Sequence, residues 1–264
     1  MFHARQRALS FRRWILRRIV PETVWPEHVW VDGVRIAVRG TPYSYGVKRT
    51  LSSSDCYEKP ERELVSEFLE PGMTVLEFGG SIGVLTAVMA SRVSRNGRVI
   101  SFEADPKLVE HARSWLESDG HVTVVNGFAF PVWGLPPHFQ VTQFDSDRGS
   151  LGGKVHFSLQ ESPPTAGRRG WDGTRVWDLG RIQSEFNVEP DALVVDIEGS
   201  EAIMALTSLG LPKSIQHLMI ELHPLDCSRY GVRELEVGVA IMRDGFQLVR
   251  RKGGSYWFKR DSNG

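Results

Sequence analysis

The stretch Val75 to Gly83, VLEFGGSIG, constrains the fold of this chain more than any other. It joins an apolar strand to an acid, Glu77, then to a glycine-rich turn, and then to the apolar run Val84 to Ala90. Glycine has no Cβ, so a turn of this kind lets the backbone approach a bound ligand closely, and the next helix offers its first N–H groups to it. A strand, a glycine turn and a helix in that order predict an α/β sheet with a nucleotide-type cofactor at its edge.

The chain downstream of this turn repeats the pattern. Strands are predicted at Val75 to Phe78, Arg98 to Glu103, Val122 to Asn126, Ala192 to Asp196 and His217 to Leu222, with helices around Val84 to Ser91, Pro106 to Glu117 and Glu201 to Leu209. Asp105 is placed to cap the second helix, with Pro106 in its first turn. Such alternation, with apolar strand cores, implies a mostly parallel sheet covered on both faces. Ahead of the sheet, Asp32-Gly33 between Val29 to Val31 and Val34 to Val38 reads as a small hairpin, and Gly40 to Asp55 as polar turns. Pro60 opens a helix striped by Leu64, Val65, Phe68 and Leu69, which Pro71-Gly72 ends. At the far end, a helix at Val232 to Met242 precedes a hairpin of Phe246 to Arg250 and Tyr256 to Lys259.

The alternation fails over residues 128 to 191, where prolines, glycines and the aromatics Phe130, Trp133, Phe139, Phe144 and Phe157 crowd together. This is expected to be a substrate-side insertion, because a long irregular loop in a compact domain is usually functional. A chain of 264 residues suffices for one large α/β domain, so residues 29 to 264 are read as that domain and residues 1 to 28 as a basic N-terminal segment. Six arginines give the first twenty residues a charge of +6, leaving 26 basic against 32 acidic residues in the remainder. That distribution argues against a nucleic-acid footprint. It leaves residues 1 to 20 as a basic amphipathic stretch suited to a membrane surface or a protein partner. Cys56 and Cys227 match no metal-ligand spacing and fit a reducing cytoplasm.

The glycine pattern narrows the cofactor. A dinucleotide fingerprint wants G-x-G-x-x-G, but Ser81 stands where the middle glycine of Gly79, Gly80 and Gly83 would be. A cofactor without a pyrophosphate, such as S-adenosylmethionine, fits better. Glu103 ends the second strand, twenty residues after Gly83, where a carboxylate can accept from ribose hydroxyls. Ligands of open α/β sheets sit beyond the carboxyl ends of the strands. Asp196 and Glu198 in LVVDIEGSE and Glu221 and His223 in MIELHP should therefore converge on that same site. Glu201 reads as a first-turn acid of the next helix.

In order and spacing, VLEFGGSIG, VISFEADP, VVDIEGSE and IELHP resemble the FkbM family of S-adenosylmethionine-dependent methyltransferases, over roughly Val29 to Lys259. Tyr57 to Glu61 and Val176 to Leu179 fit it too, whereas Asn126-Gly127-Phe128 departs from it by lacking the alanines that relatives carry after Asn. The resemblance implies a Rossmann-like class I methyltransferase sheet, S-adenosylmethionine as cofactor, and O-methylation of a hydroxyl on a sugar, glycan or natural product. On this reading Glu77, Gly79, Gly80, Ser81, Gly83, Glu103, Asn126 and Asp196 bind the cofactor. An alcohol needs a base during transfer, and Asp196, Glu198 and His223 are the catalytic candidates. Asp196 could instead position the cofactor, and Glu221 could orient His223. Oxygen ligands suit Mg²⁺, but no motif demands a metal and none is expected. The competing classes are a non-catalytic binding module using residues 1 to 20 and an NAD-linked oxidoreductase.

Overall fold

The computed structural model describes residues 20–261 apart from 42, 54–56, 118–119, 147–152 and 160–173. The amphipathic stretch expected over residues 1 to 20 falls almost wholly outside the described residues. Two compact units divide the chain, one of Met1–Lys59 with Asp147–Leu151 and the other of Pro60–Ser146 with Gly152–Gly264.

In the first unit, β1 (His28–Val31) and β2 (Val34–Ala37) form the expected antiparallel hairpin. Its turn residues Asp32 and Gly33 both have positive φ, 47° and 81°, as a type I′ turn requires. A helix, α1 (Tyr45–Ser52), stands where the sequence suggested only polar turns. Ser44 caps it by accepting the Val47 N–H at 3.3 Å, and Val47 and Leu51, one turn apart, are buried.

The second unit is built on the sheet. After α2 (Lys59–Phe68) come β3 (Thr74–Phe78), α3 (Val84–Val93), β4 (Arg98–Glu103), α4 (Pro106–Leu116) and β5 (Val122–Asn126). Asp105 caps α4 by accepting the Lys107 N–H at 2.9 Å. Further on lie β10 (Ala192–Val195), α6 (Ile203–Leu206), β11 (His217–Glu221), α7 (Pro224–Cys227), α8 (Glu234–Arg243), β12 (Phe246–Lys252) and β13 (Ser255–Arg260). The helix expected from Glu201 to Leu209 is thus shorter, a 3₁₀ turn at Ser200–Ala202 leading into α6.

The sheet order is β12-β13-β11-β10-β3-β4-β5. Strands β10, β11, β3, β4 and β5 are parallel, and β13 runs antiparallel to β11 between it and β12. This is the expected Rossmann-like sheet, mostly parallel with a C-terminal antiparallel hairpin. Its core is Leu76, Phe78, Ile100, Phe102, Leu193, Val195, Leu218 and Ile220, all nearly or fully buried. The chain leaves β3 toward β4 and β5 and returns to β10 on the other side of β3. The topological switch point therefore lies between β3 and β10, where ligands of such sheets bind.

Among its described residues, the stretch from 128 to 191 is more regular than expected. It holds β6 (Phe128–Ala129) paired with β9 (Val176–Trp177), a hairpin of β7 (Gln140–Ser146) and β8 (Gly153–Ser158), and α5 (Leu179–Phe186). The aromatics that made it look irregular pack on one another. Phe130 meets Phe139 at 4.7 Å between ring centroids, and Phe157 stacks on Tyr230 at 4.3 Å. Gly127 lies under Trp177, whose ring would stand 2.3 Å from an added Cβ, which accounts for the missing alanine there.

Candidate functional site

The glycine turn lies flat against its neighbours because three Cβ atoms are missing. Gly79 and Gly80 donate their N–H groups to the Phe102 carbonyl at 2.8 and 3.1 Å. A Cβ on Gly79 (φ +95°) would stand 1.7 Å from the Asp196 carbonyl oxygen, and one on Gly80 would stand 2.0 Å from Ser101 Oγ. At Gly83 it would stand 2.5 Å from Leu116 Cδ1 in α4. The Asp196 N–H donates to the Phe78 carbonyl at 2.8 Å, so the ends of β3 and β10 are joined at the switch point.

Glu103 is held from both sides. Its Oε2 accepts the Ser81 N–H and its Oε1 the Asp105 N–H, each at 2.8 Å. Burial nevertheless raises its carboxyl to about 7, against the pull of those two bonds. Asn126 donates through Nδ2 to the carbonyls of Glu103 and Ala104 at 3.0 and 3.1 Å, fixing the loop after β4. A cleft of about 440 Å³ lined by Pro106, Val109, Arg113 and Asn126 adjoins it. Glu77 lies beneath the turn instead of at its open face. Its side chain is 1% exposed and accepts the Thr86 hydroxyl at 2.5 Å, and burial pushes its carboxyl up to about 7.

A second group of side chains gathers at the ends of β10 and β11. Glu198 and Gly199, at φ 52° and 100°, turn the chain sharply from β10 into the 3₁₀ turn, and a Cβ on Gly199 would stand 2.3 Å from Asp226 Cβ. Glu201 is fully buried. Its Oε1 accepts the Ile197 N–H at 3.0 Å and faces His223 Nδ1 at 3.1 Å. The other ring nitrogen, Nε2, lies 3.7 Å from Asp196 Oδ1 and 3.9 Å from Glu198 Oε2. Asp196 hydrogen-bonds Glu221, whose carboxyl is raised by burial and by the charge of Glu61.

Burial alone would push His223 down. The Glu201 hydrogen bond and the charges of Glu201, Glu198 and Glu221 together outweigh it and raise His223 to about 9. The imidazole is therefore cationic at neutral pH. From the insertion, β8 brings Lys154 to 2.5 Å from Asp226 Oδ2 and 3.9 Å from Glu198 Oε2. Ser200 anchors that strand by donating to the Val155 carbonyl at 2.8 Å.

Asp196, Glu198 and His223 are thus brought together, and Glu103, Ser81 and the glycines form a second group that meets them at the β3–β10 junction. Sequence reasoning gave no site role to Glu201, Lys154 or Asp226. No local signal separates Glu201 from a solvated first-turn acid. Asp226 lies in α7, three residues after His223, and Lys154 reaches it only through the docking of β8, which no local pattern announces.

A family model described as "Protein-L-isoaspartate(D-aspartate) O-methyltransferase (PCMT)" matches residues 31–134. A protein-L-isoaspartate O-methyltransferase of Methanococcoides burtonii is 34% identical over 119 residues, which cover 43% of this chain and 55% of that protein. Another, of Methanothrix thermoacetophila, is 53% identical over 49 residues, covering 19% of this chain and 23% of that protein. The chain thus spans about half, or less, of the length of these relatives. Among solved structures, Aeropyrum pernix fibrillarin with natively bound S-adenosyl-L-methionine aligns at 12% identity and a TM-score of 0.41, covering 75% of this chain and 72% of that one. The matching model is not that of the FkbM family. The expected acceptor, a hydroxyl on a sugar, glycan or natural product, is corrected by these relatives, which are named for protein-L-isoaspartate.

Proposed function

We propose that this chain is an S-adenosylmethionine-dependent O-methyltransferase whose acceptor is a carboxyl oxygen on a protein, of the isoaspartyl kind its relatives are named for. The observation that carries it is Glu103, buried at the switch point beside the glycine turn. Each of its oxygens already accepts a backbone N–H, so its remaining lone pairs are fixed in direction for two ribose hydroxyls. S-adenosylmethionine supplies a methyl group already activated on a sulfonium. What remains for the protein is alignment, which can lower a barrier by about 7–11 kcal/mol.

The charge of one group on the acceptor side, His223, supports a carboxylate. A carboxylate arrives ionised and needs no base, whereas an alcohol must lose a proton during transfer. His223 keeps its own proton to about pH 9, which suits it to hold an anionic oxygen. Asp196 and Glu198 flank that imidazole and set where the acceptor can stand. Membership of the FkbM family belongs to the same reading. It is supported by VVDIEGSE and IELHP, which lie beyond residue 134, where the matched segment ends.

The test uses S-adenosylmethionine with a tritiated methyl group and a peptide carrying one isoaspartyl residue. Base-labile label on that peptide, and none on its aspartyl isomer, is the expected result. Donor binding by calorimetry without transfer to either peptide would reject the acceptor, and absence of donor binding would reject the whole reading.

A further inference from the structure

On the acceptor side, carboxylates outnumber cations. Asp196, Glu198, Glu201, Glu221 and Asp226 gather there against His223 and Lys154, and Lys154 is engaged by Asp226 at 2.5 Å. Like charges at such distances exclude one another unless positive charge stands between them.

Within this group, Asp196, Glu221 and His223 each offer one ligand atom, and the three atoms lie within 4.8 Å of one another. Adjacent parallel strands hold them. Asp196 follows β10, Glu221 ends β11, and His223 comes two residues later. Neighbouring ligands of a six-coordinate divalent ion stand about 3 Å apart, so small rotations of these side chains would close them around one ion. The imidazole is prepared for this by a residue outside the trio. Glu201, with no exposed surface, takes Nδ1 at 3.1 Å and leaves Nε2 facing Asp196 and Glu198. A carboxylate that fixes the second nitrogen of a ligating histidine is the usual outer support of a metal site.

From this geometry we infer that Asp196, Glu221 and His223 bind one divalent cation, with Glu198 in reach of the same ion and Glu201 as the positioning residue. Two carboxylate oxygens and one imidazole nitrogen suit a first-row ion such as Mn²⁺. The ion takes the place of the Nε2 proton and brings more charge to the same spot. Its role, holding the acceptor carboxylate, rests on the proposed function. Its binding does not.

The probe is Mn²⁺ alone, titrated into EDTA-treated protein and followed by the electron paramagnetic resonance signal of the free ion. One Mn²⁺ should bind per chain in the micromolar range, and His223→Ala and Glu221→Gln should each weaken binding at least tenfold. Glu201→Gln should weaken it by about tenfold or more without removing a ligand. A free-ion signal that never falls up to millimolar Mn²⁺, or unchanged binding in both ligand variants, would overturn the inference. Near-UV circular dichroism identifies a variant that has lost its fold, and the other variant then decides. Calorimetry with S-adenosylmethionine in EDTA reads the proposed function separately, so a wild-type chain that binds the donor and no Mn²⁺ rejects the ion alone.

Discussion

The two halves of the site are built from different materials. On the β3–β4 side the structure is backbone: glycines without Cβ, N–H groups shared with the Phe102 carbonyl, and a buried carboxylate that holds two further N–H groups. On the β10–β11 side it is side chains: carboxylates around one imidazole, partly exposed and drawn from segments far apart in sequence. A site made of backbone admits one ligand shape and little variation. One made of side chains can change its acceptor while the sheet stays the same.

The sharpest way to break this contrast is Gly79→Ala. The new Cβ would collide with the Asp196 carbonyl, a backbone atom that cannot rotate aside, and the φ of +95° adds strain. We expect a loss of about 3 kcal/mol or more in stability and at least about 100-fold in donor affinity. Chemical denaturation and calorimetry measure the two. On the other side, His223→Ala should lower kcat by about 100-fold through lost alignment of the acceptor while leaving donor affinity nearly unchanged. Unchanged kcat in that variant would remove His223 from the site.

The same contrast decides what could be read from the sequence. The glycine turn, most of the strands and helices of the sheet and the hairpins β1–β2 and β12–β13 are local patterns, in which glycine positions and apolar runs dictate geometry within a few residues. That Asp196, Glu198 and His223 come together was also legible, because strand ends in an open sheet must converge. Glu201 was not, since a first-turn acid is ordinarily solvated. Only the fold reveals that it is fully buried against His223. Glu77 shows the converse. Its place in the glycine motif suggested the cofactor, yet it lies beneath the turn with Thr86.

Glu77 also makes the donor side testable by pH. Burial raises its carboxyl from 4.5 to about 7, so the folded chain binds that proton more tightly than the unfolded one. The stability it contributes is complete below about pH 4.5 and is lost as pH rises through about 7. Above that range the buried carboxylate costs about 3 kcal/mol, so Glu77→Gln should raise stability at pH 8 by up to about that amount. Glu103 has the same shift, and it keeps about half of the pH dependence in the variant. An unaltered pH profile of unfolding in Glu77→Gln, measured without ligand, would refute this.

Lys154 tests the acceptor side most finely, because it reaches the carboxylates only through β8. Its side chain is 32% exposed, so solvent screens its pairs with Asp226 and Glu198. A partly exposed pair of this kind is worth about 1 kcal/mol, equivalent to about a fivefold rise in acceptor KM for Lys154→Ala. Donor affinity should not move, since the Glu103 and Ser81 contacts lie at the end of β4. If donor affinity fell together with acceptor affinity, the two halves would be coupled through the β3–β10 junction, and the division between a backbone side and a side-chain side would fail at the Gly79–Asp196 contact, where they touch.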